Sequence, residues 1–216
     1  MTTAARPITI LAVDDHPLFR EGIAALVSNQ SDMQLVAEAS NGRDAVEKVR
    51  TLRPAVVLLD LKMPEMSGLD ALAAIRREAP SCKVIVLTTY SGDVLAQRAL
   101  QGGAHAYLLK GRVRKDLLDT IRAVYAGAKR VDPEVAADIA VHLGETDLSQ
   151  REIEVLRLVA DGKSNKAIAA QLSITEETAK GHLKSIFAKL GTNDRTHAVT
   201  LALQRGVLDL ATRPGG

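Results

Sequence analysis

Tryptophan is absent from this chain of 216 residues, and aromatic residues together make up 2% of it. The cores must therefore be built from Leu, Val, Ile and Ala, and the scarcity of rings argues against a surface that stacks single-stranded bases. The single cysteine, Cys82, permits neither an internal disulfide nor a Cys-based metal cluster, which suits a reducing compartment. It reads as a small packing residue. An excess of one charge sign is missing too: the formal net charge is +2, so bulk electrostatics names no partner. Long apolar runs are also lacking. The opening MTTAARPITILAV passes directly into acids, so neither a signal peptide nor a membrane span is expected, and the expected location is cytoplasmic.

What is present is the composition of an ordinary globular protein, 46% hydrophobic and 25% charged, in a length that suits two small domains. The first half alternates two kinds of segment. Strand-like runs ITILAVDD, QLVAEAS, AVVLLD, KVIVLTTY and AYLLK alternate with the helix-like PLFREGIAALVSN, GRDAVEKVRTL, SGLDALAAIRREA, DVLAQRALQGG and KDLLDTIRAVYAG. Five β–α units in alternation predict a doubly wound, five-stranded parallel sheet of the flavodoxin-like kind. Right-handed crossovers then gather the carboxyl ends of the strands on one rim.

The residues at those ends carry the chemistry. The stretch PAVVLLDLKMPEMSG, Pro54 to Gly68, is a continuous apolar run that ends on Asp60 and is followed by turn residues, as a strand buried on both faces would be. Asp14 and Asp15 end the first strand, Thr88 the fourth and Lys110 the fifth. Either acid of the pair could be only a helix cap. Three carboxylates meeting a hydroxyl and an ammonium on one rim are better explained by a hard cation and a phosphoryl group. Mg2+ fits such oxygens, and an Asp carboxylate can act as the nucleophile that forms an acyl phosphate. Pro64 and Gly68 shape the loop that follows, while Met63 and Met66 read as packing residues.

On the paired acids at 14–15, DLKMP at 60–64, LTTY at 87–90 and AYLLK at 106–110, residues 8 to about 126 resemble the receiver domain of a two-component response regulator. The resemblance implies that Asp60 is the phosphoacceptor. It implies that Asp14, Asp15 and Asp60 hold Mg2+, with the backbone carbonyl of Lys62. Thr88 and Lys110 would contact the phosphoryl group, and Tyr107 would be the aromatic that moves inward with Thr88. Gly111 departs from the Pro that follows the Lys in many receivers.

From residue 127 the composition shifts. YAGAKRVDPEVAADIAVHLGETDLSQ reads as a linker over 127–146, with one amphipathic helix from about Pro133 to Leu143. The pattern then becomes purely helical over 147–216. SQREIEVLRLVADG opens on Ser149-x-x-Glu152, a capping box, and closes at Gly162. SNKAIAAQLS is a second short helix capped by Ser164. ITEETAKGHLKSIFAKLG is a third, with Thr175 as cap, Glu176 and Glu177 against the amino-terminal dipole and Gly191 as stop. Two short helices joined by a tight turn predict a helix-turn-helix whose second member, about 176–190, enters the major groove. Ile174, Leu183, Ile186, Phe187 and Leu190 would face the core, leaving Thr178, Lys180, Gly181 and Lys184 on the other side. DRTHAVTLALQRG is a fourth helix. Its Ala198, Val199, Leu201 and Ala202 exceed what a small core needs, and so predict a homodimer on DNA.

This half resembles the LuxR-type helix-turn-helix, which joined to a receiver is similar to the NarL/FixJ family of response regulators. The resemblance implies base-edge contacts near Lys180, Gly181 and Lys184, and backbone contacts from Lys166 and Thr178. It also implies a sensor histidine kinase and double-stranded promoter DNA as partners. Ala167 stands where a Glu is usual, weakening a cap, and Ala179 where a Val is usual. A rival reading is a phosphohydrolase built on Asp60, but such enzymes need a general acid two positions on, where Lys62 stands. A receiver that no longer accepts phosphate is opposed by the complete set of acids, Thr88 and Lys110. The expectation is a phosphorylation-controlled, DNA-binding transcriptional regulator and not an enzyme.

Overall fold

A computed structural model of the protein describes residues 6–89, 92–142 and 148–208. The chain falls into two compact units, Met1–Ser91 with Ala96–Ala137, and Gly92–Leu95 with Asp138–Gly216.

From the amino end β1 (Ile8–Val13), α1 (Pro17–Ser28), β2 (Met33–Ala39), α2 (Gly42–Leu52), β3 (Val56–Asp60), α3 (Gly68–Glu78), β4 (Lys83–Thr88), α4 (Asp93–Gln101), β5 (Ala106–Leu109) and α5 (Val113–Tyr125) follow in order. A 3-10 turn, Lys110–Arg112, joins β5 to α5. All strands pair in parallel, in the order β2-β1-β3-β4-β5. Val56, Val57, Leu58 and Leu59 are fully buried, which explains why β3 shows no alternation: it lies mid-sheet with both faces covered. One core joins Ile10, Leu58, Ile85 and Leu108 of the sheet to Ile23, Leu117 and Ile121 of the helices. Truncating any one of these to Ala would cost about 2–5 kcal/mol.

The sheet has six strands rather than the expected five. β6, Arg130–Val131, pairs in parallel with β5, setting Arg130 against Ala106 and Val131 against Tyr107. It lies in the stretch read as linker. Two residues are too few to show a period of two, and what holds them is backbone pairing: Arg130 N donates to His105 O at 3.0 Å and Asp132 N to Tyr107 O at 2.9 Å. Asp132 then starts α6 (Pro133–Val141), accepting from the Glu134 amide at 3.1 Å. The expected end of that helix, Leu143, lies outside the described residues.

The second unit is helical: α7 (Gln150–Ala160), α8 (Asn165–Leu172), α9 (Glu176–Lys189) and α10 (Arg195–Gln204). Ser149 and Glu152 form the full capping box, and Ser164, Thr175 and Asp194 cap the next three helices. Gly162 and Gly191 take φ of +75° and +64°, the left-handed turn that stops α7 and α9. Val155, Leu156, Ile168, Ala179, Leu183 and Ile186 form the core. Ala198 and Ala202 are fully buried in that same core, and Val199 and Leu201 pack against it half-buried. The four residues expected to form a surplus apolar face are thus largely used within the unit. Every third or fourth residue of α10 points inward, and sequence alone does not tell own core from partner. Among the described residues, no helix is long and apolar enough to cross a membrane.

Candidate functional site

The sheet order reverses between β1 and β3, and the carboxyl ends of these neighbouring strands make the crevice where open α/β sheets bind ligands. Asp14 follows β1 and is 1% exposed, and Asp60 ends β3 at 3%. Neither Asp14 nor Asp15 caps α1. The N-cap is His16, which makes no side-chain cap bond, so the acids remain available to the crevice.

Lys110, two strands away at the end of β5, reaches across to pair with both buried acids, its Nζ 2.7 Å from Asp14 Oδ2 and 2.7 Å from Asp60 Oδ2. Its ammonium also lies 4.8 Å from the centre of the Phe19 ring, a cation–π contact. Burial raises the Asp60 carboxyl above its ordinary value, against the Lys110 ammonium and the Lys62 amide, which lower it. That amide donates to Asp60 Oδ1 at 3.2 Å. Burial works against the charge on Lys110, but the hydrogen bond it donates to Asp60 and its close pairing with Asp14 outweigh it and leave the ammonium firmer than an ordinary lysine. Asp60 is thus a buried carboxylate at the edge of the crevice, steadied by one cation.

Thr88 ends β4 fully buried. Tyr107 of β5, expected to move inward, is already inside at 1% exposed. Burial raises its phenol above the ordinary value, and a side-chain hydrogen bond with Thr88 offsets part of that rise. The five strand-end residues read from sequence therefore come together at one rim.

Two neighbours have more to do here than sequence reasoning gave them: His16 was not assigned at all, and Gly68 only as a loop residue. His16 brings Nδ1 to 2.7 Å from Asp15 Oδ1 and 3.1 Å from Asp14 Oδ1. Asp14, Asp15, His16 and Asp60 each offer one ligand atom, and the four atoms lie within 4.8 Å of one another. This group can hold a metal ion, and its buried oxygens suit one. Asp14 Oδ2 and Asp15 Oδ1 lie within ion-pair distance of Lys110 and His16, yet neither accepts an aligned hydrogen bond. The second neighbour is Gly68, whose amide donates to Leu61 O at 3.0 Å. A Cβ there would lie 2.5 Å from Leu61 Cα and closer still to the carbonyl oxygen of Asp60. Only the adjacency of His16 to the acids, and the glycine closing the quoted loop, could have signalled them.

In the second unit Lys166, Thr178, Lys180, Gly181 and Lys184 are all exposed. The structure leaves open space where a Gly181 side chain would project. The Lys180 ammonium lies 3.6 Å from Glu176 and 3.9 Å from Glu177, and so shares its charge with the acids of its own first turn. Lys180 and Lys184 line an open hollow with Asn165, Phe187, Thr192 and Asn193, and sequence reasoning passed over the two asparagines, whose side-chain amides are of the kind able to pair with base edges.

Comparison with known proteins accounts for both halves. The family model described as "Response regulator receiver domain" matches residues 10–122, and that described as "Bacterial regulatory proteins, luxR family" matches 146–202. The response regulator protein VraR of Staphylococcus epidermidis is 37% identical over 206 residues, 93% of this chain and 99% of the relative. Among solved structures, the response regulator ChrA of a heme-sensing two-component system is 35% identical, with a TM-score of 0.56 over 94% of this chain and all of that one. RcsB of Salmonella enterica serovar Typhimurium, bound to a promoter in the presence of a phosphomimetic, is 26% identical with a TM-score of 0.73, covering 93% and 100%. The chain belongs to the response regulators that join a receiver domain to a LuxR-type helix-turn-helix, a family of transcription regulators.

Proposed function

We propose that the protein is a phosphorylation-activated transcription regulator of the cytoplasm, with a receiver over 1–126, a linker over 127–146 whose β6 extends the receiver sheet, and a DNA-binding domain over 147–216. Asp60 is the phosphoacceptor. A carboxylate oxygen of Asp60 attacks phosphorus, the bond to the donor breaks with its electron pair leaving on the donor, and an acyl phosphate remains on the protein. A sensor histidine kinase is the natural donor, its leaving imidazole taking up a proton. Mg2+, when bound, neutralises charge on the transferring oxygens, and Asp14, Asp15, Asp60 and the Lys62 carbonyl would hold it. Lys110 stands at contact distance from Asp60 and would pair with a phosphoryl oxygen, and the Thr88 hydroxyl would donate to another. Thr88 and Tyr107 share a hydrogen bond, so a change at one hydroxyl is felt by the other.

Output follows from α9. Lys180 and Lys184 are suited to base edges near Gly181, and Lys166 and Thr178 to phosphates of double-stranded promoter DNA. A homodimer on an inverted repeat fits the named relatives, since the RcsB structures include dimers bound to DNA. The observation that carries the reading is the convergence of Asp14, Asp60 and Lys110 on one rim at 2.7 Å, joined to a capped helix-turn-helix.

The test is phosphorylation by acetyl phosphate. Intact-mass analysis is expected to find one added phosphoryl group in the presence of Mg2+, and none without Mg2+ or in Asp60→Asn. Absence of the adduct from the wild-type protein would sink the proposal.

A further inference from the structure

We infer that the crevice also takes late first-row divalent cations such as Zn2+, Ni2+ and Co2+, with His16 Nδ1 as a nitrogen ligand beside the aspartates. This rests on the reading of Asp14, Asp15 and Asp60 as a cation site and goes beyond it in the class of ion admitted.

The backbone holds His16 where it is. Pro17 follows it and opens α1, and a residue before proline is kept out of the helical region. His16 is accordingly extended at φ −90° and ψ 110°. Its amide donates to Asp14 Oδ1 at 2.9 Å, so the residue is tied to one of the acids it faces. The ring then turns toward the crevice, with Nδ1 against oxygens of both Asp14 and Asp15. Bonds of about 2.0–2.2 Å to Zn2+ put neighbouring ligand atoms roughly 3–4 Å apart. The four atoms here span 4.8 Å at most, so a modest closing brings them to that spacing. His16 has 69% of its side chain exposed, which leaves a way in for the ion.

The donor set decides the preference. A hard cation such as Mg2+ takes oxygen and gains nothing from an imidazole. Affinity for nitrogen rises along the first row toward Ni2+ and Cu2+ and stays high for Zn2+. With carboxylates alone the crevice would favour hard ions. Adding His16 Nδ1 raises its affinity for the late ions selectively.

The experiment uses the full-length chain with 15N-labelled histidine rings and backbone amides. Zn2+ and Mg2+ are titrated separately and followed by nuclear magnetic resonance. Both ions are expected to shift the Asp60 and Lys62 amides, and Zn2+ alone to shift His16 Nδ1. In His16→Gln, calorimetry should show the ratio of Zn2+ to Mg2+ affinity falling at least tenfold. If Zn2+ moves only the rings of His105, His142, His182 or His197, or if the ratio is unchanged in the variant, the inference falls while the phosphorylation reading stands. If Mg2+ leaves the Asp60 and Lys62 amides in place, the cation-site reading itself falls, and this inference with it.

Discussion

Gly68→Ala should slow phosphorylation while leaving every side chain proposed to take part in it unchanged. A Cβ at 68 would sit 2.5 Å from Leu61 Cα and 3.0 Å from the carbonyl carbon of Asp60, whereas carbon atoms settle at about 3.5–4.0 Å. The atoms in the way are backbone, and no rotamer change relieves them. Segment 60–61 must shift by roughly 1 Å, enough to cost about a hundredfold where a reacting group is displaced, or about 2.7 kcal/mol in the barrier. Overpacking would lower stability by about 1–3 kcal/mol, against a total of about 5–15 kcal/mol for a typical domain. The variant therefore stays folded, and lost rate is not lost protein. Gly22→Ala is the control, since a Cβ there meets nothing within 4 Å, and in α1 it should gain up to about 1 kcal/mol of helix propensity. The initial rate with acetyl phosphate, read by intact mass alongside a thermal melt, compares the two. Gly68→Ala labelled at the wild-type rate and melting at the wild-type temperature would refute the crowding argument.

Glu152 gives a pH prediction. Its burial would raise the carboxyl, but Lys189, Ser185 and Ser149 together hold it down at about 2 from 4.5. A carboxyl depressed on folding contributes stability above its unfolded value that is lost as pH falls through the folded one. Between about 4.5 and 2 the wild-type advantage over Glu152→Gln, read by circular dichroism of the helical unit, should therefore vanish, and an advantage that persists below pH 2 would refute the linkage. Lys180→Ala and Lys184→Ala should each weaken binding to DNA selected in vitro by the full chain. A lost phosphate contact would lower the slope of log affinity against log salt by about 0.9, and a lost base contact would reduce discrimination by about 1–3 kcal/mol. Anisotropy titrations at several salt concentrations separate these outcomes, and unchanged affinity in both variants would mean that another face binds DNA.

The rim was legible in the sequence because a buried parallel strand announces itself as an apolar run, and the residue that breaks the run is then conspicuous. Asp60 and Thr88 end such runs, and Asp14 and Lys110 lie one residue past them. Helix stops and caps at Ser149, Ser164, Thr175 and Gly191 were legible for a local reason, being set by residues within one turn. β6 was not, since strand pairing of two residues is decided by what lies beside them in space. The same holds for Glu152. Its capping role is local, but its bonds to Ser185 at 2.6 Å and Lys189 at 2.7 Å cross from α7 to α9. Ala198 and Ala202 were misassigned because an apolar stripe does not say which surface covers it. The pairing of Lys180 was open to a local reading too, since Glu176 stands four residues before it, a spacing that brings opposite charges together on a helix.

The missing tryptophan has an optical consequence. Three tyrosines are the chain's main intrinsic fluorophores, with no indole to drain their emission. One of them, Tyr107, is sealed from water beside the crevice, its phenol in contact with Thr88. Tyr125, at 51% exposed, is open to collisional quenchers in solution. Quencher-resistant tyrosine emission from this protein therefore includes a signal from a residue beside Asp60, and rearrangement at Thr88 can be followed by fluorescence with no label attached.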